Sequence, residues 1–181
     1  MRYRADMSPA HRRYLFLEQG VGGAVVNLLI NAGIAALLFR GHAIVPLWGQ
    51  QSVAGDTVGT TFLLPLLTCL IVTPLARHQV RAGRIAAIDW TSESHPMLGW
   101  LPGGTVQRAV MLGVICTVIV APLAVSALSA LHVTAMSFWH FLTFKAIFGA
   151  LLGAAVTPFI ALLAITGACP GARDAAAPLL S

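Results

Sequence analysis

Two ionisable residues stand where an apolar chain can least accommodate them. Asp56 lies at the start of the run GDTVGTTFLLPLLTCLIVTPLARHQVRAGR, residues 55–84, and Lys145 lies within a later apolar run, residues 137–166. A charge at the centre of a membrane helix costs on the order of 2.5–3.5 kcal/mol on insertion scales, so it ordinarily has a partner or a task. Both residues fall in the half of their run remote from the basic cluster Arg77, His78, Arg81 and Arg84. That shared placement predicts an ion pair across two helices. The plainer reading of Asp56, between Gly55 and Thr57, is a helix N-cap. Lys145 has two readings as well. A helix entering at Ser137 puts it about 12 Å deep, at 1.5 Å per residue. If Phe138, Trp139, Phe141 and Phe144 lie flat as an aromatic belt, Lys145 sits near the surface and snorkels.

Uncharged polar residues gather on helical faces around these two. Gly20, Gly23, Ala24, Asn27, Asn31 and Ala35 recur at three- and four-residue steps and so share one face. Small residues let a neighbouring backbone approach closely, and a buried Asn amide can bond across the contact. That face is either a packing seam or the wall of a polar site. Thr57, Thr61, Pro65, Thr68 and Val72 make a second face, with Asp56 and Thr60 on an adjoining arc. The threonine hydroxyls have a bland alternative in bonding their own i−4 carbonyls. The candidate substrate or ion path is therefore Asn27, Asn31, Asp56, Thr60, Thr61 and Lys145. Gly20, Ala24, Gly149 and Gly153 are candidate helix-packing positions, the last two forming a GxxxG that serves either the bundle or a subunit contact.

Other chemistries find no pattern. The sequence has no H-E-x-x-H, G-x-S-x-G or Walker loop, so no catalytic residue is assigned and an enzyme is not expected. A haem-binding bundle needs histidines on facing helices, and only His140 falls within a span, so no haem and no other cofactor is expected. His42, His132 and His140 lack zinc-ligand spacing, and no metal site is assigned. Cys69, Cys116 and Cys169 are odd in number and without a CxxC, which argues for small buried residues and against a disulfide framework.

Composition supplies the setting. The 181 residues are 57% hydrophobic and 9% charged, with mean hydropathy +0.83; soluble domains carry roughly 25% charged residues. The expected fold class is an all-α integral membrane protein, a bundle of four transmembrane helices. Spans of about 20 residues cross the hydrocarbon core, and four runs qualify, near 14–39, 56–76, 108–131 and 137–166. They would be joined by a loop at 40–55, a cytoplasmic loop at 77–107 and a tight hairpin at 132–136. Residues 1–13 read as a cytoplasmic segment, 14–167 as the transmembrane domain and 168–181 as a flexible tail. The first run is longer than a signal-peptide core and reads as a retained helix. Val72-Thr73-Pro74 recurs as Val156-Thr157-Pro158, which suggests two parallel helical hairpins.

The net charge of +5 sits almost wholly in the flanks of these runs. It therefore marks topology and contacts with anionic lipid, and nucleic acid is not an expected partner. Arg2, Arg4, Arg12, Arg13, Arg77, Arg81, Arg84, Arg108 and Arg173 lie on one side, against Arg40 on the other. By the positive-inside rule both termini are cytoplasmic, in what reads as a bacterial inner membrane. Three functional readings follow. The first is a small transporter or channel-like protein, working as a homo-oligomer around a polar intramembrane site. The second is a non-catalytic subunit that docks and stabilises or regulates another membrane protein. The third is a haem- or redox-binding bundle.

Overall fold

The computed structural model describes residues 9–85, 102 and 104–166. Four helices in it are long and apolar enough to cross a membrane: α1 His11–Leu38, α2 Val53–Arg81, α3 Thr105–Ala130 and α4 Phe138–Ile165. Each starts or ends within a few residues of the run expected from sequence, and α2 continues through Arg77 and His78 to Arg81. Asp89, Glu93 and His95 of the middle loop, Cys169, the tail at 168–181, and Arg2, Arg4 and Arg173 lie outside the described residues.

Two of the helix starts are set by short hydroxyl side chains. Ser52 caps α2, its Oγ accepting from the Gly55 amide at 3.1 Å, and Ser137 caps α4, accepting from His140 at 3.4 Å. The N-cap reading of Asp56 is thereby corrected. Asp56 lies inside the first turn, its own amide donating to the Ser52 carbonyl at 3.0 Å. The flat aromatic belt is corrected as well: Phe138 to Phe144 are the first turns of α4, and Phe141 is wholly buried. Within α1 the backbone widens to a π-helix over Tyr14–Val21 before returning to α-helix at Gly22–Leu38.

The two connections at one end are not plain loops. Ile44–Pro46 (β1) pairs antiparallel with Ala135–Ser137 (β2), Val45 opposite Met136. Thr134 extends the pairing by accepting from the Leu47 amide at 2.8 Å. Under this ribbon Ala35, Phe39, Val45, Leu47, Val53, Leu128 and Phe141 form a buried apolar cluster, with the Phe39 and Phe141 rings 4.6 Å apart. The ribbon satisfies backbone groups that bare loops at the helix ends would leave to water.

In space the helices run in the order α1, α4, α2, α3. α4 therefore sits between α1 and α2, while α1 and α2, consecutive in sequence, barely touch. The two hairpins read from sequence, α1–α2 and α3–α4, are therefore packed on each other and hardly within themselves. The α2–α3 contact is close because Gly113 lies against the Phe62 carbonyl; a Cβ there would stand 2.9 Å from that oxygen. α2 and α4 run the same way: Asp56 and Lys145 meet near their starts, and Ala76 and Ala164 pack near their ends.

Candidate functional site

α1 and α2 stand apart with α4 behind both, and this leaves a groove of about 660 Å³. Its walls are two apolar stripes at four-residue spacing. α1 presents Val26, Ile30, Ile34 and Leu38, and α2 presents Leu63, Leu67, Ile71 and Leu75. All eight side chains are exposed in the described chain. The polar residues lie deeper, between the stripes and against α4.

At the end near the ribbon, Lys145 is buried and forms an ion pair with the Asp56 carboxylate; their side chains are 3% and 8% exposed. The ammonium also donates to Thr60 Oγ1, and lies 3.5 Å from the Asp56 carbonyl oxygen. Thr60 Oγ1 in turn donates to that same carbonyl at 2.8 Å. All of the ammonium's donor capacity is thus turned toward one turn of α2. Its position seven residues into α4 puts it about 10 Å along the helix. Its ammonium is held against Asp56 and Thr60 of α2 and does not extend to the surface, as snorkelling would require.

Along the α1–α4 contact the two antiparallel helices interlock. A Cβ at Gly149 would stand 2.6 Å from the Asn31 amide, and one at Gly153 would stand 2.6 Å from the Asn27 amide. In the opposite sense Thr157 projects at Gly23, where a Cβ would meet its Oγ1 at 2.5 Å. The GxxxG of α4 is thus occupied within the chain by the two asparagines of α1. Gly20 continues the seam, facing Pro158, and Ala24 is half-buried. Each asparagine amide donates to the carbonyl four residues back on its own helix, Asn27 to Gly23 and Asn31 to Asn27, both at 2.8 Å. The pair therefore fills space between helices and does not bond across them.

Five of the six path residues named from sequence, Asn27, Asn31, Asp56, Thr60 and Lys145, line this one groove. Thr61 does not. It is fully buried, and its hydroxyl donates to the carbonyls of Thr57 at 3.0 Å and Val58 at 2.9 Å. The reason is angular: one residue beyond Thr60 turns a helical side chain through about 100°.

No family model, curated protein or solved structure matches this chain. The assignment of a site rests on its own chemistry.

Three lining residues carry more than the sequence suggested. Thr157, read only as part of a small-residue step, has a buried Oγ1 without a hydrogen-bond partner among the described residues. Glu18 and Gln19 line the opposite end from the ion pair, on the π-helical turn of α1. The signal for Thr157 was its place four residues after Gly153. What no spacing could show was that its hydroxyl would face Gly23 across the seam. Among the described residues no group of three His, Cys, Asp or Glu side chains is placed to hold a metal ion. Cys69 is buried and Cys116 half-buried.

Proposed function

We propose that the protein is a small membrane transport protein whose substrate or ion site is the polar half of the α1–α2 groove. The observation that carries this reading is convergence: polar residues from three helices, spread over more than a hundred positions, line one cavity. A volume of about 660 Å³ lies within the range of roughly 300–1,000 Å³ typical of small-molecule sites. Its lining is also of that kind, mostly apolar with a few convergent polar groups. The Lys145–Asp56 pair supplies a fixed, neutralised dipole at one end, and the Thr157 hydroxyl a bonding group awaiting a partner. The reading assigns no catalysis. The basic flanks orient both termini to the cytoplasm of a bacterial inner membrane, which puts the ion pair in the outer half.

A second reading, a subunit that docks on another membrane protein, is favoured by one observation. The most apolar stretch of α1 is hardly buried by the rest of the chain, and an unpaired helical face of that kind suits a partner helix.

Water access separates the two. The native cysteines are replaced, and single cysteines at positions 27, 31, 60 and 61 are treated with a membrane-impermeant maleimide, in intact cells and inverted vesicles. Reaction at 27, 31 and 60 with silence at 61 is the expected pattern. Silence at all four in a folded protein would make these faces dry seams and leave the docking reading standing.

A further inference from the structure

We propose that the ligand of the groove is an organic cation that donates hydrogen bonds, an ammonium carried on an apolar body. The inference rests on the transport reading above and names the substrate class of that site.

The first argument is charge. Three ionisable side chains line the groove, Glu18, Asp56 and Lys145, and no arginine or histidine does. Two carboxylates thus stand against one ammonium. Lys145 is paired with Asp56, and the carboxylate left over is Glu18, at the far end. Glu18 is exposed, and it has no ion-pair partner among the described residues. It lies within the span His11–Leu38, six and five residues on from Arg12 and Arg13. An acid in a membrane span ordinarily has a partner or a task. An anion entering this groove would add a further negative charge to a lining whose one cation is already paired. A cation would balance it.

The second argument is the account of donors and acceptors. Most of the nitrogen donors of the lining are turned inward. The Lys145 ammonium is directed at the Asp56 carboxylate, Thr60 Oγ1 and the Asp56 carbonyl. Asn27 and Asn31 each donate to a carbonyl of their own helix. A carbonyl only accepts, so the amide nitrogen is the atom that meets it, and Oδ1 of each asparagine is left over. What remains without a donor among the described residues is a series of oxygens: Asp56 Oδ1, Oδ1 of Asn31 and Asn27, and the Glu18 carboxylate. Thr157 Oγ1, buried without a partner at the level of Gly23, lies between the last two. It can accept or donate, as can the Gln19 amide. A ligand whose polar atoms are N–H groups satisfies these oxygens. One whose polar atoms are carboxylate or phosphate oxygens leaves both sides unpaired, which is costly in an apolar layer. The apolar stripes of α1 and α2 take the body of the ligand.

The test compares three probes with a similar body: phenethylammonium, phenethyl alcohol and phenylpropanoate. Each is radiolabelled and equilibrated by dialysis with the full chain in non-ionic detergent, with protein-free micelles as the blank. The expected result is saturable binding of about one phenethylammonium per chain, about tenfold tighter than phenethyl alcohol, as a charged hydrogen bond supplies. Phenylpropanoate should show no saturable binding. Glu18→Gln, at an exposed side chain with no ion pair to lose, should keep the melting temperature and bring the ammonium down to the affinity of the alcohol. Arg12→Gln, outside the lining, should not weaken binding. An aryl azide analogue of the ammonium should label residues 18–31 of α1 and 56–75 of α2. Cysteine reactivity at 27 and 31 reads the transport proposal separately. If those cysteines react, and the alcohol or the carboxylate binds as tightly as the ammonium, the substrate class falls while the groove reading stands. Silence at both in a folded protein removes the groove reading and this inference with it. Ammonium binding unchanged in Glu18→Gln, no saturable binding of the ammonium, or labelling confined to α3 would each overturn the inference.

Discussion

Asp56 and Lys145 are 89 residues apart in the chain, and their side chains form one buried ion pair between α2 and α4. The pair forms because the two helices run in the same direction from the same ribbon-capped end, so residues near their starts come level. Thr60 completes the arrangement by accepting from the ammonium while its own proton goes to the Asp56 carbonyl. The result is a closed set of polar groups in an apolar layer, which is the condition for a charge to reside there.

Removing one member should cost far more than removing both. Lys145→Ala leaves a carboxylate in hydrocarbon, and Asp56→Ala leaves an ammonium with little beyond a threonine hydroxyl. Breaking a buried pair in this way costs about 3–5 kcal/mol. Asp56→Leu combined with Lys145→Met should be close to neutral, since replacing a whole buried pair by apolar groups of similar volume often is. The exchanged pair, Asp56→Lys with Lys145→Asp, should fall between. Protein yield and thermal melting in detergent measure the order. Equal melting of both single alanine variants and the wild type would show that the pair contributes nothing.

Gly149 and Asn31 form the tightest point of the α1–α4 seam. An alanine at 149 would set its Cβ 2.6 Å from the Asn31 amide carbon, and overpacking of that order costs about 1–3 kcal/mol. Asn31→Ala removes the amide but keeps its own Cβ, which would stand 2.8 Å from the new one, so the double variant should recover only part of the loss. The coupling from a double-mutant cycle should lie within the roughly 0.5–3 kcal/mol seen for residues in contact. Gly33→Ala, with nothing within 4 Å of its Cβ, is the matched control and should not lower the melting temperature.

The four helices long and apolar enough to cross a membrane were legible because they depend on composition and run length. The polar faces were legible because a 3.6-residue period fixes which residues share a side: Asn27 with Asn31, and Asp56 with Thr60. Helix order was not legible. The Val-Thr-Pro repeat suggested two hairpins but could not say that α1 of one packs on α4 of the other and α3 on α2. The glycines of α4 that admit the asparagines of α1 decide it for the first contact. The assignment of Thr61 failed for a related reason, since a polar arc two residues wide does not say which of its edges meets the cavity. The ribbon was hidden because Ile44–Pro46 and Ala135–Ser137 are too short to show a strand period.

The cap of α2 gives a smaller and more local expectation. Ser52 Oγ accepts from the Gly55 amide at 3.1 Å, while Ser137 Oγ accepts from the His140 amide at 3.4 Å and meets the exposed His140 ring at 2.6 Å. Loss of an N-cap hydroxyl costs about 0.5–2 kcal/mol. Ser52→Ala should therefore lower the melting temperature more than Ser137→Ala, and Ser52→Asp should restore it. A deficit in Ser137→Ala as large as in Ser52→Ala would show that the longer contact caps equally well.

Gly59 and Gly113 separate the groove from the packed side of α2. At Gly113 a Cβ would approach the Phe62 carbonyl oxygen to 2.9 Å, with the Phe62 ring at 3.1 Å. The obstacle is backbone and cannot turn aside, so Gly113→Ala has to push α3 away from α2. A loss of about 1–3 kcal/mol is expected. Gly59, on α2 itself, faces the groove, and its Cβ would meet nothing within 4 Å. Gly59→Ala should hold or raise stability, since alanine exceeds glycine in a helix by about 1 kcal/mol. Melting of the two variants side by side reads which face of α2 is filled. A fall in Gly59→Ala equal to that in Gly113→Ala would mean that another helix occupies the groove in the assembled protein, which would count against an open groove and for the docking reading.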